Sequence, residues 1–141
     1  MISNSLLFCQ LEKQQTPLAN QFYKRVYKKG VASKSDQVFV LKDQEIRCAA
    51  RLKEEQGKLL LTGVACAIDF RGKGLASLLI TKILSQQTQD IYCFPYPHLK
   101  NFYQHLGFIF CEPEQLPEAL NIKYQRYNSR KPLICMMKVH Q

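Results

Sequence analysis

The alternation and spacing of apolar residues divide the chain into about ten short segments. Residues 5–11 (Ser-Leu-Leu-Phe-Cys-Gln-Leu) have the short apolar pattern of a strand. Thr16-Pro17 then opens a helix, with Thr16 as its cap and Pro17 in its first turn. Leu18, Phe22 and Val26 give that helix one apolar face, and it is predicted to end near Gly30. Strands follow at 37–42 and 45–53, turned at Asp43-Gln44, and Glu54-Glu55-Gln56-Gly57 forms the next turn. The run Leu59 to Ile68 is apolar throughout and predicts a buried strand, which completes an antiparallel meander over 37–68.

Past Asp69-Phe70 the spacing changes. Leu75, Leu78, Leu79, Ile83 and Leu84 recur with helical period, which predicts a helix over 73–87. Residues 90–94 are a short strand, and Pro97 begins a helix that runs through Leu99, Phe102, Tyr103 and Leu106 to a stop at Gly107. Residues 108–111 are a strand, 112–130 are irregular apart from a turn of helix at 117–120, and 132–139 form a final strand. The order β α β β β α β α β β predicts an α+β sandwich and argues against a doubly wound sheet.

At 141 residues with 46% apolar and 22% charged residues, the chain fits one soluble domain with one core, residues 1–141. No apolar run reaches the roughly 18–20 residues of a membrane span, and Met1 to Ser5 has no basic region ahead of an apolar one. The six cysteines, Cys9, Cys48, Cys66, Cys93, Cys111 and Cys135, form no C-x-x-C pair. They read as buried free thiols of a cytoplasmic protein, with no metal site expected. The net charge of +9 is concentrated in Lys24, Arg25, Lys28, Lys29 and Lys34, and again in Lys123, Arg126, Arg130, Lys131 and Lys138. Such charge favours anionic partners. No nucleic-acid motif accompanies it, so nucleic acid is not the expected partner.

The chemistry concentrates at the junction of residues 66–76. A buried strand feeding a helix through Arg71-Gly72-Lys73-Gly74 leaves the N–H groups of the first helical turn unpaired. With the helix dipole and two cations, they make a site for phosphate. The dinucleotide fingerprint fails because Ser77 stands where its third glycine belongs, and the P-loop fails for want of a Lys-Ser/Thr pair. R-x-x-G-x-A (Arg71, Gly74, Ala76) does fit.

In this motif the chain resembles the GNAT superfamily of acyl-CoA-dependent N-acyltransferases. A second segment, Leu99-Lys-Asn-Phe-Tyr-Gln-His-Leu-Gly-Phe108, resembles that family's A-x-x-F-Y-x-x-x-G-F stretch. The resemblance covers most of the chain and implies a mixed, mostly antiparallel central sheet with helices on both faces. It implies bound acetyl-CoA as acyl donor, with the pyrophosphate on the backbone of Arg71, Gly72, Lys73, Gly74, Leu75 and Ala76. The pantetheine arm would lie along Cys66, Ala67 and Ile68, with an oxyanion-binding N–H near Cys66. Tyr103 matches the family tyrosine that protonates the departing thiolate. The implied reaction is N-acetylation of a primary amine on a small molecule or peptide, an anionic one suiting the basic surface. The alternative is a non-catalytic acyl-CoA-binding sensor or scaffold. A lysine-like amine is only ~0.1% neutral near pH 7.4, so a base or a desolvating pocket must assist.

The chain also departs from the family. Its central strand offers Thr62 and no glutamate, leaving Asp69, Glu45, His98 or a water path as the base. Tyr96 stands where relatives have a cofactor-contacting asparagine, and one helix, not two, fits between the first two strands. Residues 112–131 are the candidate cover for the acceptor site. Nothing in the sequence separates a monomer from a homodimer.

Overall fold

The computed structural model describes residues 6–27 and 32–140. Its strands are β1 (Leu7–Gln10), β2 (Gln37–Lys42), β3 (Ile46–Glu55), β4 (Lys58–Cys66), β5 (Ile91–Cys93), β6 (Ile109–Cys111) and β7 (Cys135–Lys138). Its helices are α1 (Thr16–Val26), α2 (Leu75–Ser85), α3 (Lys100–His105) and α4 (Glu118–Asn128). The strands form one sheet in the order β1-β2-β3-β4-β5-β7-β6. β4 and β5 run parallel, while β1–β2, β2–β3, β5–β7 and β6–β7 are antiparallel. This is the α+β class that the element order predicts, with the mixed, mostly antiparallel sheet that the resemblance implies.

The described residues gather into two compact units. The first comprises residues 6–27, 32–53 and 63–86, and the second residues 54–62 and 87–140. In the first, Ala19, Phe22 and Tyr23 of α1 pack on Val38 and Val40 of β2, Ala49 of β3 and Ala65 of β4. Side chains alternate across a strand, so Phe39 and Leu41 face the other way. There α2 packs on β2 and buries Leu75, Leu79, Ile80 and Ile83. Helices therefore cover both faces. In the second unit, Leu120 and Tyr124 of α4 pack with Leu60, Tyr92, Cys111 and Cys135.

Several boundaries differ from the sequence reading. Thr16 does not cap α1; it is the first helical residue, and its Oγ1 donates to Lys13 O at 2.7 Å. The start is built instead by a 3-10 turn, Lys13–Gln15, closed by a reciprocal Glu12–Gln15 box. The predicted helix end near Gly30, Lys28, Lys29 and residues 1–5 lie outside the described residues. Glu54 and Glu55 continue β3, and Gln56 and Gly57 alone make the turn, both with positive φ. The apolar run from Leu59 leaves the strand after Cys66, and a 3-10 turn takes Ile68–Phe70. Residues 97–99 are likewise a 3-10 turn ahead of the six-residue α3. The largest difference is α4, eleven residues of helix in a stretch expected to be mostly irregular.

Candidate active site

The site starts where β4 ends. Cys66 closes the strand, and the Ala67 N–H donates to Arg47 O of β3 at 2.8 Å. That bond ties Ala67 to the sheet. Parallel pairing of β4 with β5 covers only Leu59–Leu61. Ile68 is 68% exposed on the 3-10 turn, and the Arg71 N–H returns to its carbonyl at 3.3 Å.

Gly72 and Gly74 then hold φ of +76° and +77°, a left-handed conformation that side chains rarely adopt. A Cβ placed on either would meet nothing within 4 Å, so the backbone lies open on that side. Gly74 is the N-cap of α2 and offers no side-chain hydrogen bond to the first turn. The first turn of α2 therefore receives no side-chain hydrogen bond from its N-cap residue, and its positive end lies beside the exposed Lys73. This geometry accepts an anion such as a phosphate.

Arg71 behaves differently from the sequence picture of a cation aimed at the loop. Its Nε donates to Cys66 O at 3.2 Å, and its Nη2 lies 3.5 Å from Val26 O. It ties the strand end to the helix α1 while keeping its charge at the junction. The Cys66 sulfur sits 2.7 Å from that of Cys48 and receives the Ala76 N–H. The Cys48 hydrogen bond, opposed by burial and helped by Arg71 and Ala76, holds Cys66 below the ordinary thiol range. Cys48 is pushed the other way, by that same bond and by its burial.

Tyr103 belongs to the second unit. It is 7% exposed in α3, its ring edge-on to Phe102 at 5.0 Å and to Phe108 at 5.5 Å. The Phe108 N–H donates to Tyr103 O at 3.1 Å and closes the helix past Gly107. The candidate bases are scattered among unremarkable roles. Asp69 is exposed on its 3-10 turn, and Glu45 is exposed and 3.7 Å from Arg47. His98 is exposed and stacks face-on with Tyr96 at 5.9 Å. Thr62 is half-buried on β4.

The sequence reading overlooked a buried polar cluster in the first unit. Tyr23 OH donates to Gly63 O at 2.7 Å, inside β4 where Gly63 has φ of +66°. Arg51 lies over the Tyr23 ring at 5.0 Å, with Asp36 Oδ2 3.9 Å from its Nε. Lys53 Nζ is 3.2 Å from Asp36 Oδ1. Burial drives the Tyr23 phenol up, only partly opposed by Arg51. The available signal was Arg51 itself, a cation inside the apolar run Cys48-Ala-Ala-Arg-Leu52.

Comparison with known proteins gives the family. The family model described as "Acetyltransferase (GNAT) domain" matches residues 8–128. The chain belongs to the GNAT acetyltransferase family. Its GNAT fold is shared with an acyl-CoA N-acyltransferase from Pseudomonas aeruginosa, at 15% identity and TM-score 0.70 over 96% of this chain and all of that one. A Mycobacterium tuberculosis protein solved with CoA aligns at 11% identity and TM-score 0.73, over 96% of this chain and 99% of that one. N-acetylglutamate synthase from Neisseria gonorrhoeae, solved with coenzyme A and N-acetyl-glutamate, aligns at 12% identity and TM-score 0.68 over 96% of this chain. The GNAT chain spans only 35% of that synthase's length. No functionally curated protein matches the sequence. Among the described residues no helix is long and apolar enough to cross a membrane.

Proposed function

We propose that this GNAT protein, acting as a single domain of residues 1–141 in the cytoplasm, transfers the acetyl group of acetyl-CoA to a primary amine. The observation that carries this reading is the N-terminus of α2, which its N-cap residue leaves without a side-chain bond, behind the open glycines Gly72 and Gly74. The backbone from Arg71 to Ala76 would hold the pyrophosphate, and Cys66 to Ile68 would guide the pantetheine arm. The Ala67 N–H is already given to Arg47 O, so the arm would use the groups of Cys66 and Ile68. The family model and the CoA-bound fold relatives support this choice of donor.

In the reaction, the amine lone pair attacks the thioester carbon and the C=O electrons move onto oxygen. Collapse of that oxyanion re-forms the carbonyl and breaks the C–S bond, and Tyr103 supplies the proton to the leaving sulfur. A backbone N–H near Cys66 would stabilise the oxyanion. The amine loses its extra proton to a base or to water. Absence of a carboxylate on β4 favours one second reading, a non-catalytic acyl-CoA-binding module.

Titration calorimetry of acetyl-CoA against wild type and Gly74→Glu tests the donor site. Wild type is expected to bind and the folded variant to lose binding, since the new carboxylate stands where the pyrophosphate would lie. Thiol release across an amine panel then tests transfer. Tyr103→Phe should bind acetyl-CoA normally and turn over at least ~10-fold more slowly. Equal turnover would remove Tyr103 from the acid role, and binding without transfer to any amine would favour the module.

A further inference from the structure

The two sulfurs of Cys48 and Cys66 have no part in the proposed transfer, yet they lie 2.7 Å apart. The arrangement follows from the sheet. Because the Ala67 N–H bonds Arg47 O, Cys66 falls opposite Cys48, in a position where facing side chains approach closely. Closure to the ~2.05 Å of an S–S bond needs a sulfur movement of only roughly 0.7 Å. The two thiols also differ in setting. Cys48 is 0% exposed, whereas Cys66 is half-buried at the strand end. Cys66 has Arg71 bound to its carbonyl, and the first turn of α2 gives its sulfur an N–H. A cation and a helix N-terminus are the surroundings that make a thiol ionise and react.

We propose that Cys48 and Cys66 form a reversible oxidation site in which Cys66 reacts first with a peroxide and Cys48 resolves it as a disulfide. The Cys66 thiolate attacks one peroxide oxygen, the O–O bond breaks, and the departing hydroxide takes a proton to become water. This leaves a sulfenic acid at Cys66. The Cys48 sulfur then attacks the Cys66 sulfur, the S–S bond forms, and the S–O bond breaks. The hydroxide leaves with the Cys48 proton as a second water. Two thiols lose two electrons and two protons, and the peroxide is reduced to two waters. The lowered Cys66 and raised Cys48 thiols fit these roles of attacker and resolver.

The site is coupled to the anion cradle, a step that rests on the proposed donor binding. The Ala76 N–H held by the Cys66 sulfur is one of those assigned to the pyrophosphate. A bound pyrophosphate competes for that donor and, through its charge, disfavours the thiolate. Bound acetyl-CoA therefore slows oxidation of the pair, and by reciprocity the charge state of Cys66 tunes acetyl-CoA affinity.

Tryptic mapping reads the site directly, because Cys48 lies alone in peptide 48–51 and Cys66 alone in peptide 59–71. Reduced full-length protein is treated with hydrogen peroxide, blocked with an alkylating agent and digested without reductant. The expected product joins 48–51 to 59–71 and is released by dithiothreitol. Two freely alkylated peptides, or Cys66 overoxidised without a link, would overturn the proposal. In Cys48→Ala the sulfenic acid should persist at Cys66 and be trapped by dimedone; no adduct there would overturn the order of attack. Saturating acetyl-CoA, which has no free thiol, is expected to slow the link roughly fivefold or more. An unchanged rate, with binding shown by calorimetry, would overturn the coupling. If calorimetry shows no binding to reduced protein, the donor reading fails while the linked peptide still decides the cysteine pair.

Discussion

A single hydroxyl, that of Tyr23, joins α1 to the interior of β4. It donates to Gly63 O in a buried setting where water cannot replace it. Tyr23→Phe leaves that carbonyl without its partner, which costs about 1–3 kcal/mol. Urea unfolding checks this, and a loss below the lower figure would show that the carbonyl finds another donor. Burial, against the opposing pull of Arg51, raises the Tyr23 phenol in the fold above its ordinary value of 10.0. The folded chain therefore keeps the proton that the unfolded chain gives up once pH passes about 10. Stability due to this group is fully present below that pH and declines as pH rises further. The decline should be shallower in Tyr23→Phe, as measured by denaturation midpoints from pH 8 to 11, values of the order used for tyrosine ionisation. The hydroxyl's bond to Gly63 was not legible in the chain. Tyr23 lies beside the apolar face that Leu18, Phe22 and Val26 mark, and its partner is a backbone atom forty residues away. By contrast, the turn at Gly72 and Gly74 was legible, because the positive φ that both adopt before a helix start is a local demand met by local residues.

The strands and the helix α2 were readable for the same reason: their apolar periods are set by near neighbours. The helix α4 was not. Its buried side is Leu120, Lys123 and Tyr124, while Ile122 is 62% exposed, so hydrophobicity alone marks the wrong positions. Burial of a lysine is made tolerable by Glu55 of β3, whose Oε1 is 2.8 Å from Lys123 Nζ. Burial alone would lower Lys123, but the Glu55 and Tyr127 contacts outweigh it and hold it above its usual value. Local sequence carries no sign of that distant carboxylate. The helix is further fixed by Tyr124 OH donating to Leu133 O at 2.8 Å and by Asn121 Nδ2 donating to Pro113 O at 2.9 Å. Leu120 is 0% exposed among Leu60, Tyr92, Cys111 and Cys135. Leu120→Ala removes that anchor and should cost about 2–5 kcal/mol. The measurement is denaturant unfolding with far-ultraviolet dichroism. A loss near zero would show that α4 is dispensable to the core of its unit.

At the scale of the molecule, the net charge of +9 and the anion cradle make one physical claim together. Coenzyme A thioesters are polyanions, and a basic surface raises their concentration near the protein through a field that salt screens. The Debye length falls from ≈ 10 Å at 0.1 M to ≈ 3 Å at 1 M, so distant lysines lose their influence first. Contacts made at the loop itself persist longer. Acetyl-CoA affinity should therefore fall with added salt and level off above zero, the residue being due to the short-range donors of α2. Lys73, exposed between the two open glycines, is the local test of that division. Lys73→Gln removes one charge at the cradle without touching a backbone donor or a buried contact. It should weaken binding roughly 3–10-fold at low salt and by less at high salt, in keeping with a partly exposed ion pair. Calorimetry at two ionic strengths, on wild type and variant, gives all four numbers. If wild-type affinity ignores salt while Gly74→Glu still abolishes it, the cradle works by N–H donation alone, and the basic surface must serve another anion, such as the amine substrate's own carboxylate or phosphate.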